Sequence, residues 1–206
     1  MQLENLKAAE KDFLKRYPGG FRHAHFADME KKHKMGKHTS MAQESFAKSR
    51  FKEPGLVLES IIKLVGQSSM VSVFEKPKFR DFARSLGQAE QIQFVNGYKK
   101  FLHDKNQKAG FEMILNVLDQ GKLAKWSLIT IIPAYYHPDT EVFIKPTTAK
   151  GVLAMLAMED LHYKPRPSWE FYEAYRALIM KLKQQVSADL SPSNAAFSGF
   201  LMMSLK

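Results

Sequence analysis

The residues best suited to metal chemistry are two histidines and a carboxylate near the start of the chain. His23, His25 and Asp28 lie within six residues, and two imidazoles with one carboxylate suit Zn, Mn or Fe. The alternative is a surface turn after residues 17–20, in which the histidines are simply polar. Because the chain contains no Cys, thiolate zinc sites, iron–sulfur clusters, disulfides and a Cys nucleophile are excluded.

A second candidate for catalysis is the doublet His103-Asp104. Metal-dependent phosphohydrolases of the HD class are helical and combine a His, a His-Asp doublet and a distant Asp, so that a metal-bound water attacks a phosphoester. The further ligands would be His33 or His38 before the doublet and Asp139 or Asp160 after it. The alternative is that His103 ends a helix, where a cation interacts favourably with the helix dipole.

Several enzyme motifs are absent from the sequence. It contains no G-x-x-x-x-G-K-[ST], no G-x-G-x-x-G, no G-x-S-x-G and no H-E-x-x-H. P-loop NTPases, Rossmann dehydrogenases, α/β-hydrolases and zincins therefore lose their main support. We expect no cofactor and favour a non-enzymatic protein.

Positive charge is concentrated near the start of the chain. The 206 residues carry a net charge of +10, and residues 1–52 hold 12 Lys or Arg against 6 Asp or Glu. An electropositive face is what binding to a phosphate backbone requires, so we predict contact with nucleic acid or another polyanion. The alternative is a solvated face whose lysines serve solubility. The residues that carry the prediction are Lys31, Lys32, Lys34, Lys37, Lys48 and Arg50.

A second basic element is the connector of residues 162–168. Its Lys164 and Arg166 precede a predicted helix N-terminus, whose unpaired N–H groups and positive dipole end could hold a phosphate or carboxylate. Tyr163 and Trp169 could add a stacking surface for a base. The alternative is a rigid turn between two helices, with Trp169 packed in the core.

The elements that must position these residues are helices, because apolar residues recur with a period of 3.6. Phe79, Phe82, Ala83 and Leu86, for example, fall at i, i+3, i+4 and i+7. The pattern predicts helices over about 3–16, 25–35, 40–51, 88–103, 149–161 and 169–186, others around 58–65, 79–86 and 111–118, and a last one after Ser191-Pro192. Predicted caps are Ser40 with Gln43, Thr148 and Ser168.

Strand signals are weak, since residues 71–74 and 141–144 are short and residues 128–132 are ambiguous. We therefore predict a compact all-α assembly of about nine or ten helices, with one long irregular loop near residues 133–147. The composition changes near residues 52–55, which separates a basic N-terminal helical segment, 1–52, from a helical main body, 53–206. We expect the two to form one continuous domain.

No apolar run approaches the roughly 18 residues that cross a membrane, and the N-terminal residues lack the apolar region of a signal peptide. We therefore expect a cytoplasmic protein without a membrane partner. The apolar stretch of residues 197–205 either docks into the core or seals a homodimer.

Residues 110–206 resemble the C-terminal part of uncharacterised bacterial proteins. The resemblance rests on the order and spacing of Lys125-Trp126, Thr130, Pro133, residues 143–150, Tyr163-Lys164-Pro165 and Ser168-Trp169 with Tyr172. It implies no activity and no functional residue.

Charge and composition favour a binding module with a basic face for nucleic acid or another polyanion. An HD-type phosphohydrolase and a plain protein-interaction scaffold remain the alternatives.

Overall fold

The computed structural model describes residues 2–205, apart from the side chains of Glu30 and Lys32, and this part of the chain is helical without strands. The all-α fold class is confirmed. The eleven α-helices are α1 (Leu3–Arg16), α2 (Ala27–His33), α3 (Met35–Ser45), α4 (Pro54–Gln67), α5 (Glu75–Ser85), α6 (Gln88–His103), α7 (Gln107–Gln120), α8 (Trp126–Tyr136), α9 (Pro146–Met155), α10 (Trp169–Lys183) and α11 (Asn194–Ser204). Short 3-10 turns cover Gly20–Arg22, Ala24–Phe26, Lys48–Lys52 and Ala188–Leu190.

Helix α8 lies at the centre of the molecule, because it is apolar on all sides and must be surrounded. Every residue from Leu128 to Tyr135 is buried, and α8 packs against α3, α4, α6 and α7. The helix continues through Pro133, which lacks an N–H donor, and ends at Tyr136. The irregular loop therefore covers residues 137–145 and is shorter than the predicted 133–147.

Helices α6 and α7 form a hairpin with an unusually close crossing. A three-residue link joins them, so they run antiparallel as neighbours. At the crossing Gly97 faces Gly110, and a Cβ built on Gly110 would lie 2.3 Å from the backbone nitrogen of Phe101 and 2.6 Å from the carbonyl oxygen of Gly97. Only glycines allow the two backbones to approach this closely.

The N-terminal segment and the C-terminal helix both belong to the core. One continuous cluster of buried apolar residues extends from Leu6 to Leu201. The ring of Phe13 in α1 contacts that of Phe200 in α11 at 5.3 Å, edge to face. The apolar side of α11, which we expected either to dock or to seal a homodimer, is thus buried within the chain itself.

Three of the predicted helix starts were tested by the observed capping geometry. Ser168 is a true N-cap, because its Oγ accepts a hydrogen bond from the backbone N–H of Phe171 at 3.4 Å. The predicted N-caps at Ser40 and Thr148 are wrong. Helix α3 already begins after Lys34, whose left-handed backbone (φ 48°) separates it from α2. Helix α9 begins two residues before Thr148, at Pro146, a residue suited to a first turn.

Candidate functional site

A cleft opens where the N-terminal end of α3 meets the C-terminal end of α4. It has a volume of about 280 Å³ and is lined by Lys34, Lys37, His38 and Gln67. Lys34 and Lys37 are three residues apart at the first turn of α3, so they lie on the same side of that helix. The first turn also presents backbone N–H groups that have no partner within the helix. The cleft therefore combines two cations with the positive end of a helix.

The inner wall of the cleft is formed by His38. Its side chain is only 3% exposed, its ring contacts that of Tyr135 at 5.1 Å, and its Nδ1 is buried without a hydrogen-bond partner in the described part of the chain. Burial is the main cause that lowers the pKa of His38, and hydrogen bonding to the backbone of His33 opposes it. A buried polar atom without a partner is uncommon in folded proteins, so Nδ1 of His38 is an unusual feature of this wall.

The loop between α4 and α5 begins at this cleft. Gln67, the last residue of α4, lines it, and Ser69 shares a 2.7 Å hydrogen bond with Nδ1 of His33. At the other end of the loop, Lys76 lies near enough for its charge to lower the pKa of His38, together with the charges of Lys37 and Lys34. We call Lys34, Lys37, His38, Gln67 and Lys76 the basic cleft.

Two members of the basic cleft, Gln67 and Lys76, escaped the sequence analysis. Neither belongs to the charge-rich segment, and each has other polar residues in its own helix, so nothing in the sequence distinguishes it. No pattern within 10 or 20 residues predicts that the end of α4 and the start of α5 return to the first turn of α3. Only the tertiary structure could reveal them.

The lysines of the basic cleft belong to the larger group of described cations that form no ion pair with a carboxylate. Among the described residues, Lys34, Lys37 and Lys76 form no ion pair with a carboxylate. Lys31 does, with Asp28 at 3.2 Å, and the side chain of Lys32 lies outside the described residues. Other paired cations are Lys7, Arg22, Arg80, Arg84, Lys100, Lys108, Arg166 and Arg176.

Lys48 and Arg50 do not join the basic cleft. They follow the C-terminal end of α3, about 16 Å from its start at 1.5 Å per residue. Arg50 lines a separate cleft of about 420 Å³ together with Glu44, Glu53 and Glu59. Its three carboxylates outnumber its two cations, Arg50 and Lys63, so that cleft offers a phosphate no net positive charge. The predicted basic segment is therefore divided between the two ends of α3.

The connector of residues 162–168 meets the opposite end of α8 from the basic cleft. The indole Nε1 of Trp126 donates to the carbonyl oxygen of Lys164 at 2.9 Å, whereas the basic cleft contacts α8 at Tyr135. These two positions are nine residues apart, about 14 Å along the helix. The side chain of Lys164 is exposed, and that of Arg166 is paired with Asp119.

Trp169 is not available for stacking on a base, which corrects the sequence-based prediction. The side chain is 7% exposed. Its ring packs against those of Phe101 and Phe111, and the guanidinium of Arg176 lies over it at 5.6 Å. Trp169 thus belongs to the core at the start of α10, as the alternative interpretation of a rigid turn requires.

The His-Asp doublet is held by contacts that organise the fold. Nε2 of His103 is 2.9 Å from the carbonyl oxygen of Phe46, and Asp104 pairs with Lys100 at 3.7 Å. Burial is the main cause that lowers the pKa of His103, against the hydrogen bond to Phe46. In the part of the chain that the structure describes, no three His, Asp or Glu side chains are grouped so that they could share a metal ion.

His23, His25 and Asp28 are likewise arranged as a local turn. Nδ1 of His23 accepts a hydrogen bond from the backbone N–H of His25 at 3.2 Å, which caps the 3-10 turn Ala24–Phe26. The ring of His25 stacks on that of Tyr17 at 5.0 Å, and Asp28 pairs with Lys31. The residues form the polar turn that was the alternative to a metal site.

The irregular loop between α8 and α9 contributes a buried ion pair instead of a cleft. Glu141 is buried and accepts from Nη1 of Arg176 at 2.7 Å and from the hydroxyl of Tyr172 at 2.5 Å. Gln107 donates to the same carboxylate at 2.9 Å and accepts from Arg176 at 2.8 Å. The carboxylate is satisfied from three sides, so the cluster joins α7, α10 and the loop and has a structural role.

The two histidines whose pKa is lowered, His38 and His103, predict how stability depends on pH. Because the pKa of His38 and of His103 is lowered in the folded state, the unfolded chain binds protons more readily once the pH falls below the ordinary value of 6.5. The stability is complete above that value and is lost as the pH falls from there towards the folded-state pKa. Urea unfolding between about pH 7.5 and about pH 5.5 will measure this loss.

Single replacements assign the pH effect to its source. His38→Gln and His103→Gln should each flatten the dependence of the unfolding free energy on pH, because each removes one proton-binding difference between the two states. The control is His162→Gln, at an exposed position. If neither His38→Gln nor His103→Gln alters the pH dependence, these histidines are not its source.

Comparisons with known proteins do not assign the chain to a family. Over residues 2–205, none of the helices is long and apolar enough to pass through a lipid bilayer. The resemblance of residues 110–206 to uncharacterised bacterial proteins stays a prediction. No protein-family model matches the chain, and no significant match was found among curated proteins or among solved structures.

Proposed function

We propose that the protein binds nucleic acid through the basic cleft. The observation that carries the proposal is that Lys34 and Lys37, neither paired with a described carboxylate, line one cleft with His38, on which the charge of Lys76 also acts. Paired cations are already neutralised, whereas unpaired ones release counterions from a phosphate backbone when they bind it.

The site is suited to a phosphate for two further reasons. The N-terminal end of α3 offers backbone N–H groups and a positive dipole end to an anion. An anion would also offset the mutual repulsion of the three lysines.

A polymer fits the charge of the molecule better than a small anion does. The net charge of +10 creates a positive field far beyond one cleft. At the other end of α8, about 14 Å away, the exposed Lys164 offers a further contact. Several phosphates on one strand can satisfy separated cations, which a single small anion cannot do.

The salt dependence of binding tests the proposal. We expect random-sequence oligonucleotides to bind at low salt, with an affinity that falls steeply between about 50 and about 200 mM salt. The triple variant Lys34→Ala/Lys37→Ala/Lys76→Ala should lose about tenfold or more in affinity. It should also flatten the slope of log K against log salt, by about 0.9 for each phosphate contact removed with a duplex and about 0.7 with a single strand. Fluorescence anisotropy of a labelled oligonucleotide measures both quantities.

A matched variant separates the basic cleft from net charge. Lys11→Ala/Lys105→Ala/Lys181→Ala removes the same three charges from exposed lysines on or beside α1, α6 and α10. It should leave the affinity within a few-fold of the wild type, because long-range attraction alone is screened by salt. Equal losses in the two triple variants, or no binding at low salt, would contradict the proposal.

A further inference from the structure

The most exposed large apolar side chains of the described residues are neighbours in the loop that follows the cleft residue Gln67. Val73 is 69% exposed and Phe74 is 77% exposed. They occupy the loop between Gln67, which lines the basic cleft, and Lys76, whose charge acts on His38 in its wall. An aromatic ring is thus presented within a few residues of unpaired lysines.

The backbone that carries this ring is held on both sides. Val71 is buried, and the hydroxyl of Ser72 accepts a hydrogen bond from the backbone N–H of Phe74 at 3.3 Å. The carboxylate of Glu75 accepts from the hydroxyl of Ser127 in α8 at 2.8 Å, and Glu75 opens α5. The exposure of Phe74 is therefore built into an anchored turn, and binding would order little additional chain.

The chemistry around Phe74 indicates what covers it. A lone ring with one valine is small for a protein-protein interface, whose buried core has many apolar residues. Unpaired cations next to an exposed aromatic ring are the combination that single-stranded nucleic acid uses, with phosphates on the cations and bases stacked on the ring. In a duplex the bases are already stacked on one another, so the ring has no free base face to contact.

We propose that the basic cleft takes single-stranded nucleic acid, with an unpaired base stacked on Phe74 and its phosphates on Lys34, Lys37 and Lys76. This inference rests on the proposed function and adds to it the class of nucleic acid. It predicts a preference for single strands over a duplex of the same sequence. That preference should depend on Phe74, whereas the salt dependence should depend on the lysines.

The experiment compares Phe74→Ala with the wild type on three labelled probes of equal length. The probes are a single strand, the corresponding duplex and a single strand with abasic sites throughout. Because stacking on one aromatic side chain contributes substantially to each bound base, we expect Phe74→Ala to lose about tenfold in affinity for the single strand. Its affinities for the duplex and for the abasic strand should stay unchanged, and Phe74→Trp should restore binding to the single strand.

The control is Leu56→Ala, which removes a similarly exposed apolar side chain (63%) at the separate cleft around Arg50. It should bind all three probes as the wild type does. The salt slope of Phe74→Ala should equal that of the wild type, because no charge is removed.

Three results would overturn the inference. If Phe74→Ala binds the single strand as tightly as the wild type, or weakens binding to strand and duplex equally, single-strand selection by this ring is wrong. The lysine variants would then still decide the proposed function by themselves. If anionic phospholipid vesicles bind the protein through Phe74 while the single strand does not, the loop is a membrane contact. If the triple lysine variant binds the single strand as tightly as the wild type does, the proposed function itself is wrong.

Discussion

Replacing Arg176 with methionine is expected to lower the free energy of unfolding by about 3–5 kcal/mol. The carboxylate of Glu141 is buried, and Nη1 of Arg176 is its cationic partner at 2.7 Å. Methionine keeps much of the apolar stem of arginine but leaves that carboxylate with neutral donors only, from Gln107 and Tyr172. An uncompensated buried charge is costlier than the loss of an exposed one, because water cannot solvate it.

Urea unfolding with a surface control measures this effect. Arg84→Met removes a guanidinium that pairs with Glu59 at 2.8 Å on the surface, where both side chains are about half exposed. Its unfolding midpoint should move little, because water solvates the carboxylate that remains. Equal shifts for the two variants, with unchanged slopes against urea concentration, would show that burial of the Glu141 pair does not matter.

A double variant identifies the buried charge as the cause. Adding Glu141→Gln to Arg176→Met removes the remaining charge while it keeps the shape and an acceptor for Tyr172. The double variant should therefore be more stable than Arg176→Met alone, although it lacks one more native side chain. A further loss of stability in the double variant would indicate that the hydrogen bonds of the carboxylate outweigh its charge.

Replacing Gly110 with alanine is expected to lower the free energy of unfolding by about 3 kcal/mol, at the upper end of the usual cost of overpacking. The added Cβ would lie 2.3 Å from the backbone nitrogen of Phe101 and 2.6 Å from the carbonyl oxygen of Gly97. Both obstacles are backbone atoms of α6, which cannot turn aside as a side chain can. Helices α6 and α7 would have to separate along their whole contact.

Gly66→Ala provides the matched control for this prediction. Gly66 lies near the end of α4, and a Cβ there would meet nothing within 4 Å. Alanine favours the helix over glycine, so the free energy of unfolding should stay unchanged or rise by up to about 1 kcal/mol. Thermal unfolding of the two variants compares them directly. A stable Gly110→Ala protein would mean that the helix crossing can relax.

The sequence by itself determined the helical architecture, because helix formation depends on neighbours within one or two turns. The pattern of apolar residues predicted α1 over residues 3–16 and α6 over 88–103 with the bounds that the structure has. Local hydrogen bonding also made the N-cap at Ser168 predictable. The ambiguous residues 128–132 lacked a polar face, since α8 is buried on all sides, and periodicity cannot identify such a helix.

The tertiary structure alone decided which polar residues meet. The charge of residues 1–52 was visible in the sequence, but its division between the two ends of α3, and the recruitment of Gln67 and Lys76, follow from how α3, α4 and α5 pack. Glu141 and Arg176 are 35 residues apart in the chain and 2.7 Å apart in space. Packing also buried Trp169 and left Phe74 exposed. Side-chain partners of this kind depend on contacts between distant segments, whereas local periodicity carries information only about each helix.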